Sequence, residues 1–312
     1  MGIFKTGLVL LLALLAAACG KAPPDTTSGP DVSDAAFADA QQPWRLQRYQ
    51  ALTAADGWTA LVGLHWLQYN AHYIGSGADS GIRLSVGPPR LGMLSRQGER
   101  WFFVPERGAG VTREGIAVNG RIAFHSDREA VPTLLAFDEG RGQLSLIKRG
   151  TRFALRVKHA DASSRRGFAG IEHWPGGPAW QVRAVFQAHP TGRTLPIVDI
   201  TGLTTPMPNA GAVVFEHGGQ RYRLEAIAEP GQPLFLIFAD RTSGHGSYPA
   251  GRYLDTDAPD SDGTVLLDFN HAYNPPCAFT PFATCPLAPP ENRLDLRVEA
   301  GERAYHPPAG AF

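Results

Sequence analysis

Cysteine is scarce in the 312-residue chain: Cys19, Cys277 and Cys285 are all it has. No CxxC pair is present, and no second cysteine pair exists to complete a zinc site. Charge of one sign is missing too, with 29 Lys and Arg against 29 Asp and Glu. A balanced surface without a basic run leaves no electrostatic footprint for nucleic acid, so no nucleic-acid partner is expected. Helical periodicity is scarce, no repeat period shows, and no βαβ rhythm runs along the chain. Catalytic signatures are lacking in the same way: there is no G-x-S-x-G elbow, no H-E-x-x-H and no EF-hand loop. Neither a cofactor nor a metal is expected. The apolar run at residues 8–15 is too short to span a bilayer comfortably.

That run nevertheless decides the expected compartment. Lys5 supplies a positive n-region, Leu8 to Leu15 an apolar h-region, and Ala16, Ala17 and Ala18 a small-residue cleavage site directly before Cys19. This order resembles a bacterial lipoprotein signal, although Ala16 stands where such signals usually carry Leu, with Leu15 one position further back. The reading is a signal peptide over 1–18, with Cys19 as the lipidated N-terminus; the alternative is a plain secretory peptide with an incidental cysteine. By resemblance to sorted lipoproteins, Gly20 implies the periplasmic face of the outer membrane in a Gram-negative cell. The lipid would then be the protein's membrane contact. Residues 19–33, rich in Pro, Gly, Ser and Thr, read as a flexible tether. With Cys19 lipidated, Cys277 and Cys285 remain as an even pair in an exported chain, which suggests a disulfide. Free buried thiols, or a reactive Cys277, are the alternatives.

What is abundant is Gly (35) and Pro (26), a composition that favours many short strands joined by turns. One or two short helices follow the tether, with Leu46, Tyr49 and Thr53 lining one face at helical spacing. Strand-like runs then alternate with turns: 57–67, Ile82 to Leu84, Trp101 to Val104, and Ile116 to Val118 before the hairpin signal Asn119-Gly120. Further runs are expected at 133–137, 143–147, 152–158, 180–186, 211–217, 220–228, 233–239, 264–270 and 293–299. RFALRVK (152–158) and RLDLRVE (293–299) alternate strictly, as half-buried antiparallel strands do. PLFLIFA (233–239) is continuously apolar and reads as a strand buried on both faces, while Gly218-Gly219 reads as a hairpin turn. The order of a Gly turn, an I-x-L strand, a G-x-L strand and a strand ending in N-G resembles the opening of forkhead-associated (FHA) β-sandwiches. In that family an Arg follows the first Gly, and a Ser and His on the next loop hold phosphothreonine. Here Ser76 follows Gly75 and Pro88-Pro89-Arg90 replaces the Ser/His loop, so a similar sandwich is implied without phosphopeptide recognition. The expected architecture is mainly β: short helices and an FHA-like antiparallel sandwich over 34–130, then a C-terminal antiparallel β unit over 131–312.

The stretch from Asp268 to Leu294 concentrates polar groups in a stiff backbone. Prolines 275, 276, 281, 286, 289 and 290 fix φ and remove donors, so the segment is neither helix interior nor central strand. Phe269, Phe279, Phe282 and the cysteines argue for an ordered loop that shapes a site. Together with DRTSGHGSYPAGRYL (240–254), EAGERAY (299–305) and GWTALVGLHWL (57–67), this loop resembles the bacterial and archaeal family known as domain of unknown function 1684. The resemblance implies where a site lies and carries no activity with it.

Read as chemistry, three polar clusters converge if the late strands are neighbours. They are Asp240, Thr242, Ser243, His245, Tyr248 and Arg252; Asp268, Asn270, Tyr273 and Asn274; and Glu291, Asn292 and Arg293, with Glu302 after them. The bland reading makes them turn-forming and ion-pairing groups. The sharper one is a pocket for a small polar or carbohydrate-like ligand, for which Tyr, Asn, Asp and Arg on a stiff loop are suited. A third makes it a hydrolase, with Ser243 attacking, His245 or His271 as base and Asp240 or Asp268 orienting it, or with Asp240, Asp268 and Glu291 working as an acid/base pair on a sugar. The leading expectation is a cell-envelope protein with a ligand pocket; a hydrolase and an envelope interaction module are the alternatives.

Overall fold

Asp34–Thr53 (α1) is one continuous helix with Pro43 inside it, where the sequence suggested one or two short pieces. Pro43 removes an N–H and crowds the carbonyl four residues back, but it sits on the exposed face, where water satisfies the freed group. The inward face is Phe37, Gln41 and Leu52 with Trp44, Arg45 and Arg48 half-buried. Leu46 and Tyr49, expected to pack, are 57% and 44% exposed. The reason lies beneath the helix: it covers a polar floor containing Glu302, so Arg48 faces inward. The structure, a computed structural model, describes residues 34–308 and 310, and the expected signal peptide, tether and Cys19 lie outside them.

After a single turn at Trp58–Ala60 come β1 (Leu61–Trp66), β2 (Ala71–Gly75), β3 (Ile82–Arg83), β4 (Gly92–Gln97), β5 (Arg100–Pro105) and β6 (Thr112–Arg113). Next are β7 (Ile116–Ala117), β8 (Ile122–Ala123), β9 (Leu134–Phe137), β10 (Gly142–Arg149) and β11 (Arg152–His159). They form two sheets, ordered β3-β2-β4-β5-β8 and β1-β11-β10-β9-β6-β7. Alternate residues of each point inward, and Ile74, Leu94, Trp101 and Phe103 meet Leu135, Leu144, Leu155 and Val157 in one shared core. Because β1 pairs with β11, this sandwich reaches His159 rather than ending near 130. Asn119-Gly120 is not a hairpin: it carries the chain from β7 in one sheet to β8 in the other. The hairpin is Glu114-Gly115, whose φ values of 53° and 78° supply the two left-handed residues a type I′ turn requires.

The C-terminal half holds α2 (Ser163–Arg166), β12 (Gln181–Ala188), β13 (Thr194–Val198), β14 (Thr204–Pro208), β15 (Gly211–His217), β16 (Gln220–Ala226), β17 (Leu234–Phe238), β18 (Arg252–Thr256) and β19 (Thr264–Asp268). Four of these strands make a sheet ordered β16-β15-β12-β19, and β13-β14 and β17-β18 are two-stranded. Gly218 and Gly219 close the β15–β16 hairpin with φ of 59° and 74°. β17 is buried on both faces as expected, with Leu236 and Phe238 in one core and Ile237 in another. RLDLRVE is not a strand. Its burial alternates as the pattern required, with Leu294 and Val298 inside and Arg293, Asp295 and Arg297 outside. Its backbone pairs only briefly, by a parallel bridge of Arg293 to Ala239 and a bond from the Arg241 N–H to the Leu296 carbonyl. Further along, side chains take the place of a neighbouring strand: Asp240 accepts the Val298 N–H at 2.7 Å and Arg252 donates to the Val298 carbonyl at 2.8 Å. The chain is therefore mainly β, built from several antiparallel sheets with one long N-terminal helix.

Candidate functional site

Asp240 and Arg252 emerge at the end of β17 and the start of β18, which places them side by side with both side chains fully buried. Asp240 accepts from the Thr242 hydroxyl at 2.8 Å, the Thr242 N–H at 3.2 Å and the Ser243 hydroxyl at 3.3 Å. Arg252 lies 3.4 Å from Asp240 and also donates to the carbonyls of Val298, Ala300 and Glu302. Burial pushes its guanidinium pKa down and Asp240 opposes that shift. Ser243 is thus bonded to Asp240, while the exposed ring of His245 reaches only the Ser243 carbonyl, at 3.3 Å. The serine–imidazole pairing that a hydrolase needs is not assembled here.

The other candidates divide. Asp268 caps the turn after β19 by accepting the Asn270 N–H at 3.0 Å, and Asn270 in turn clasps Gly177 through both its N–H and its carbonyl. Asn292 binds the Glu225 N–H and the carbonyls of Glu225 and Ile237, stitching β16 to β17. Glu291 beside it is exposed, and Tyr248 packs half-buried beside Phe168 and Phe279. Asn274 belongs elsewhere: its N–H donates to buried Glu302 at 2.6 Å, and its carbonyl accepts from Arg48 of α1 at 2.8 Å. Residues 298–302 connect this knot to the Asp240–Arg252 pair through the Arg252 bonds. The first two clusters therefore meet, through buried backbone and Glu302 of the third rather than across a hollow, while Glu291 and Asn292 stand apart. Cys277 and Cys285 form a disulfide with their Cα atoms 6.1 Å apart.

A hollow does open one layer out, where α1 passes over the proline-rich loop and β18. It is a groove of about 430 Å³ lined by Trp44, Gln47, Arg48, Ala51, Trp58, Phe235, Tyr253, Asp255, Tyr273 and Pro276. Tyr273 is the one lining residue that belongs to the expected cluster. Phe235, Tyr253 and Tyr273 stand edge to face, with ring centroids 5.0 and 5.7 Å apart. Arg48 lies 4.7 Å over the Tyr273 ring and is fixed by Glu302 at 2.8 Å. The Tyr273 hydroxyl donates to Asp255 at 2.7 Å. Burial, with Asp255 beside it, raises the Tyr273 pKa, so the phenol keeps its proton and remains the donor. Trp44 stacks on His271 at 4.6 Å, and burial holds the imidazoles of both His271 and His173 below their usual range, His173 at about 4. Trp44, Arg48, Trp58 and Asp255 were missed as site residues because they come from segments far apart in sequence, none of which shows on its own that it borders a hollow. The usable signal was Trp44 and Arg48 four apart on the helix face opposite Leu46. Among the described residues no group of three His, Cys, Asp or Glu side chains gathers as a metal site.

Fold and groove define a mainly-β protein with an aromatic cleft walled by its N-terminal helix. Residues 166–303 match the family described as "Protein of unknown function (DUF1684)". The chain belongs to that family. Among solved structures it is similar to an uncharacterized protein of Haloarcula marismortui determined by solution NMR, with 32% identity over 45% of this chain and 78% of that one and a TM-score of 0.37. It is also similar to the N-terminal FHA domain of EssC, a component of the bacterial type VII secretion apparatus, at 12% identity over 31% of this chain and 46% of that one, with a TM-score of 0.25. Comparison with curated proteins gives no match.

Proposed function

We propose that this is a lipid-anchored cell-envelope protein whose groove beneath α1 binds a small, polar, carbohydrate-like ligand. The observation that carries the reading is the lining itself. Trp44, Trp58, Phe235, Tyr253 and Tyr273 supply flat apolar faces, while Gln47, Arg48 and Asp255 supply donors and acceptors at the rim. A sugar presents the same combination, C–H faces that stack on aromatic rings and hydroxyls that need paired partners. Arg48 is neutralised by Glu302, leaving Asp255 as the free charge in the groove, which suits a neutral hydroxylated ligand better than an anion. The tether and anchor read from residues 1–33 would hold this groove near the membrane surface, within reach of envelope saccharides.

The test is a titration of maltose, cellobiose and chitobiose against the protein, followed by tryptophan fluorescence. At least one should give saturable binding that Trp44→Ala and Asp255→Ala each weaken by tenfold or more. Absence of saturation with all three disaccharides, or binding indifferent to both substitutions, rejects the groove. Radioactive palmitate labelling tests the anchor: incorporation should vanish in Cys19→Ser, and an unlabelled wild type removes the lipid from the reading.

A further inference from the structure

The front sandwich carries a second hollow, unrelated to the groove. It is a basin of about 310 Å³ lined by residues of β5, the segment after β8, and the facing ends of β10 and β11. Its position follows from register. Gly92 of β4 pairs with Ile74 and Pro105 at one end of the sandwich, whereas Gln97 pairs with Arg100 at the other, and the basin opens at that other end. It therefore lies away from the loops that hold Gly75-Ser76 and Pro88-Pro89-Arg90.

The floor is apolar and aromatic: Trp101, Phe124 and Phe153 all line it and all are buried. The walls are cationic. Lys148 lies on the same face of β10 as core residues Leu144 and Leu146, so its side chain turns inward at the open end, with its ammonium 5.1 Å over the Phe153 ring. Arg100 lines the basin as well, and Arg96, outside the lining, lies 5.6 Å over the same ring and 5.9 Å over Trp101. Arg128 and His125 complete the rim.

The nearby carboxylates are already committed. Glu99 pairs with Arg96 at 2.6 Å. Glu129 accepts the Ser126 N–H at 2.8 Å and lies 3.9 Å from His125. Asp127 accepts the Lys148 N–H at 2.8 Å and pairs with Arg149 at 2.6 Å. That leaves Lys148, Arg100 and Arg128, among the described lining residues, without a carboxylate in ion-pair range. A half-buried ammonium beside an aromatic floor matches a bound anion with an apolar body, which would satisfy both surfaces at once.

We propose that this basin binds a small organic anion, a carboxylate or phosphate monoester on an apolar body, with Lys148 and Arg128 holding the charge and Trp101, Phe124 and Phe153 the body. Phenyl phosphate titrated into the full-length chain by calorimetry is the probe. It should bind at one site, weaken at least tenfold in Lys148→Gln/Arg128→Gln, and weaken several-fold again when salt rises from 0.05 to 0.5 M, as expected for exposed charges. Benzyl alcohol, which lacks the charge, and inorganic phosphate, which lacks the ring, should each bind at least tenfold less tightly. Asp255→Ala, in the other hollow, should leave the affinity unchanged, which separates this site from the proposed saccharide groove. If the double variant melts well below wild type, the exposed single change Arg128→Gln decides, with a three- to fivefold loss expected. Undetectable binding, equal affinity for benzyl alcohol or inorganic phosphate, loss in Asp255→Ala, or full retention in the charge variants would overturn the assignment.

Discussion

Asn292 shows how much a single amide does when backbone ladders are incomplete. Its side chain satisfies three buried backbone groups, the Glu225 N–H and the carbonyls of Glu225 and Ile237. Truncation to Ala strands all three without water, and each stranded group costs on the order of 1–3 kcal/mol. Asn292→Ala should therefore lose about 3 kcal/mol or more in urea unfolding, while the exposed neighbour Glu291→Ala stays close to wild type. Comparable losses in both would mean the amide is not the tie it looks to be. His173 makes a pH prediction at the same scale. Burial, reinforced by Arg45, holds its pKa at about 4, below the ordinary 6.5. A base with a depressed folded pKa binds its proton more readily when unfolded, so its contribution is intact above pH 6.5 and is lost as pH falls from 6.5 towards 4. His173→Gln should flatten that acid limb, so that melting temperatures measured from pH 7 down to 4.5 fall less than in wild type. Parallel curves would assign the acid limb to other groups.

At the level of elements, the Cys277–Cys285 loop joins covalent constraint to packing. Phe279 within it is fully buried against Leu52 of α1, Phe168 and Tyr305, and the nearby Pro276 lines the groove. Closing so short a loop restricts the unfolded chain by about 2–3 kcal/mol. Replacing both cysteines with Ser should lower unfolding stability by that amount and also loosen the groove beneath α1 through Pro276. A variant as stable as wild type would show that packing alone fixes the loop. Periodicity made most of this architecture readable. The β15 run at 211–217 and the strands near 143–147 and 152–158 stand where the alternation put them. What failed was whatever depends on a partner distant in sequence. RLDLRVE has the inside–outside pattern of a strand, yet beyond a short backbone pairing with residues 239–241 its partners include the side chains of Asp240 and Arg252. Asn119-Gly120 has hairpin residues, yet φ is positive only at Gly120 of the pair, and the turn falls at Glu114-Gly115. The candidate cluster was legible as polar residues at strand ends. It could not show that Asp240, Arg252 and Asn274 turn inward, while the lining of the hollow comes from α1 and β18.

Over the whole molecule, the oldest problem is how a helix at residue 34 and a tail near 302 come to share a wall. The joint is ionic: Arg48 meets Glu302 at 2.8 Å across 254 positions, with the carboxylate fully buried. A buried pair of this kind adds little net stability over apolar replacements, but breaking it from one side is expensive, about 3–5 kcal/mol, because the remaining charge loses its compensation. Arg48→Met should therefore be strongly destabilising, while Arg48→Met/Glu302→Met should recover most of the loss. The pH dependence identifies the cause. Burial raises the Glu302 pKa and Arg48 holds it down; without Arg48 it rises further. An acid with a raised folded pKa contributes its stability below the unfolded pKa and loses it as pH rises through the folded one. The deficit of the single variant should then grow between pH 5 and pH 8, while the double variant shows no such slope in thermal melts. A deficit independent of pH would mean that Glu302 is not the group left behind. Binding separates architecture from recognition: the double variant has its helix seated but no guanidinium over Tyr273, so it should recover most of the wild-type stability and still bind the disaccharide at least tenfold more weakly.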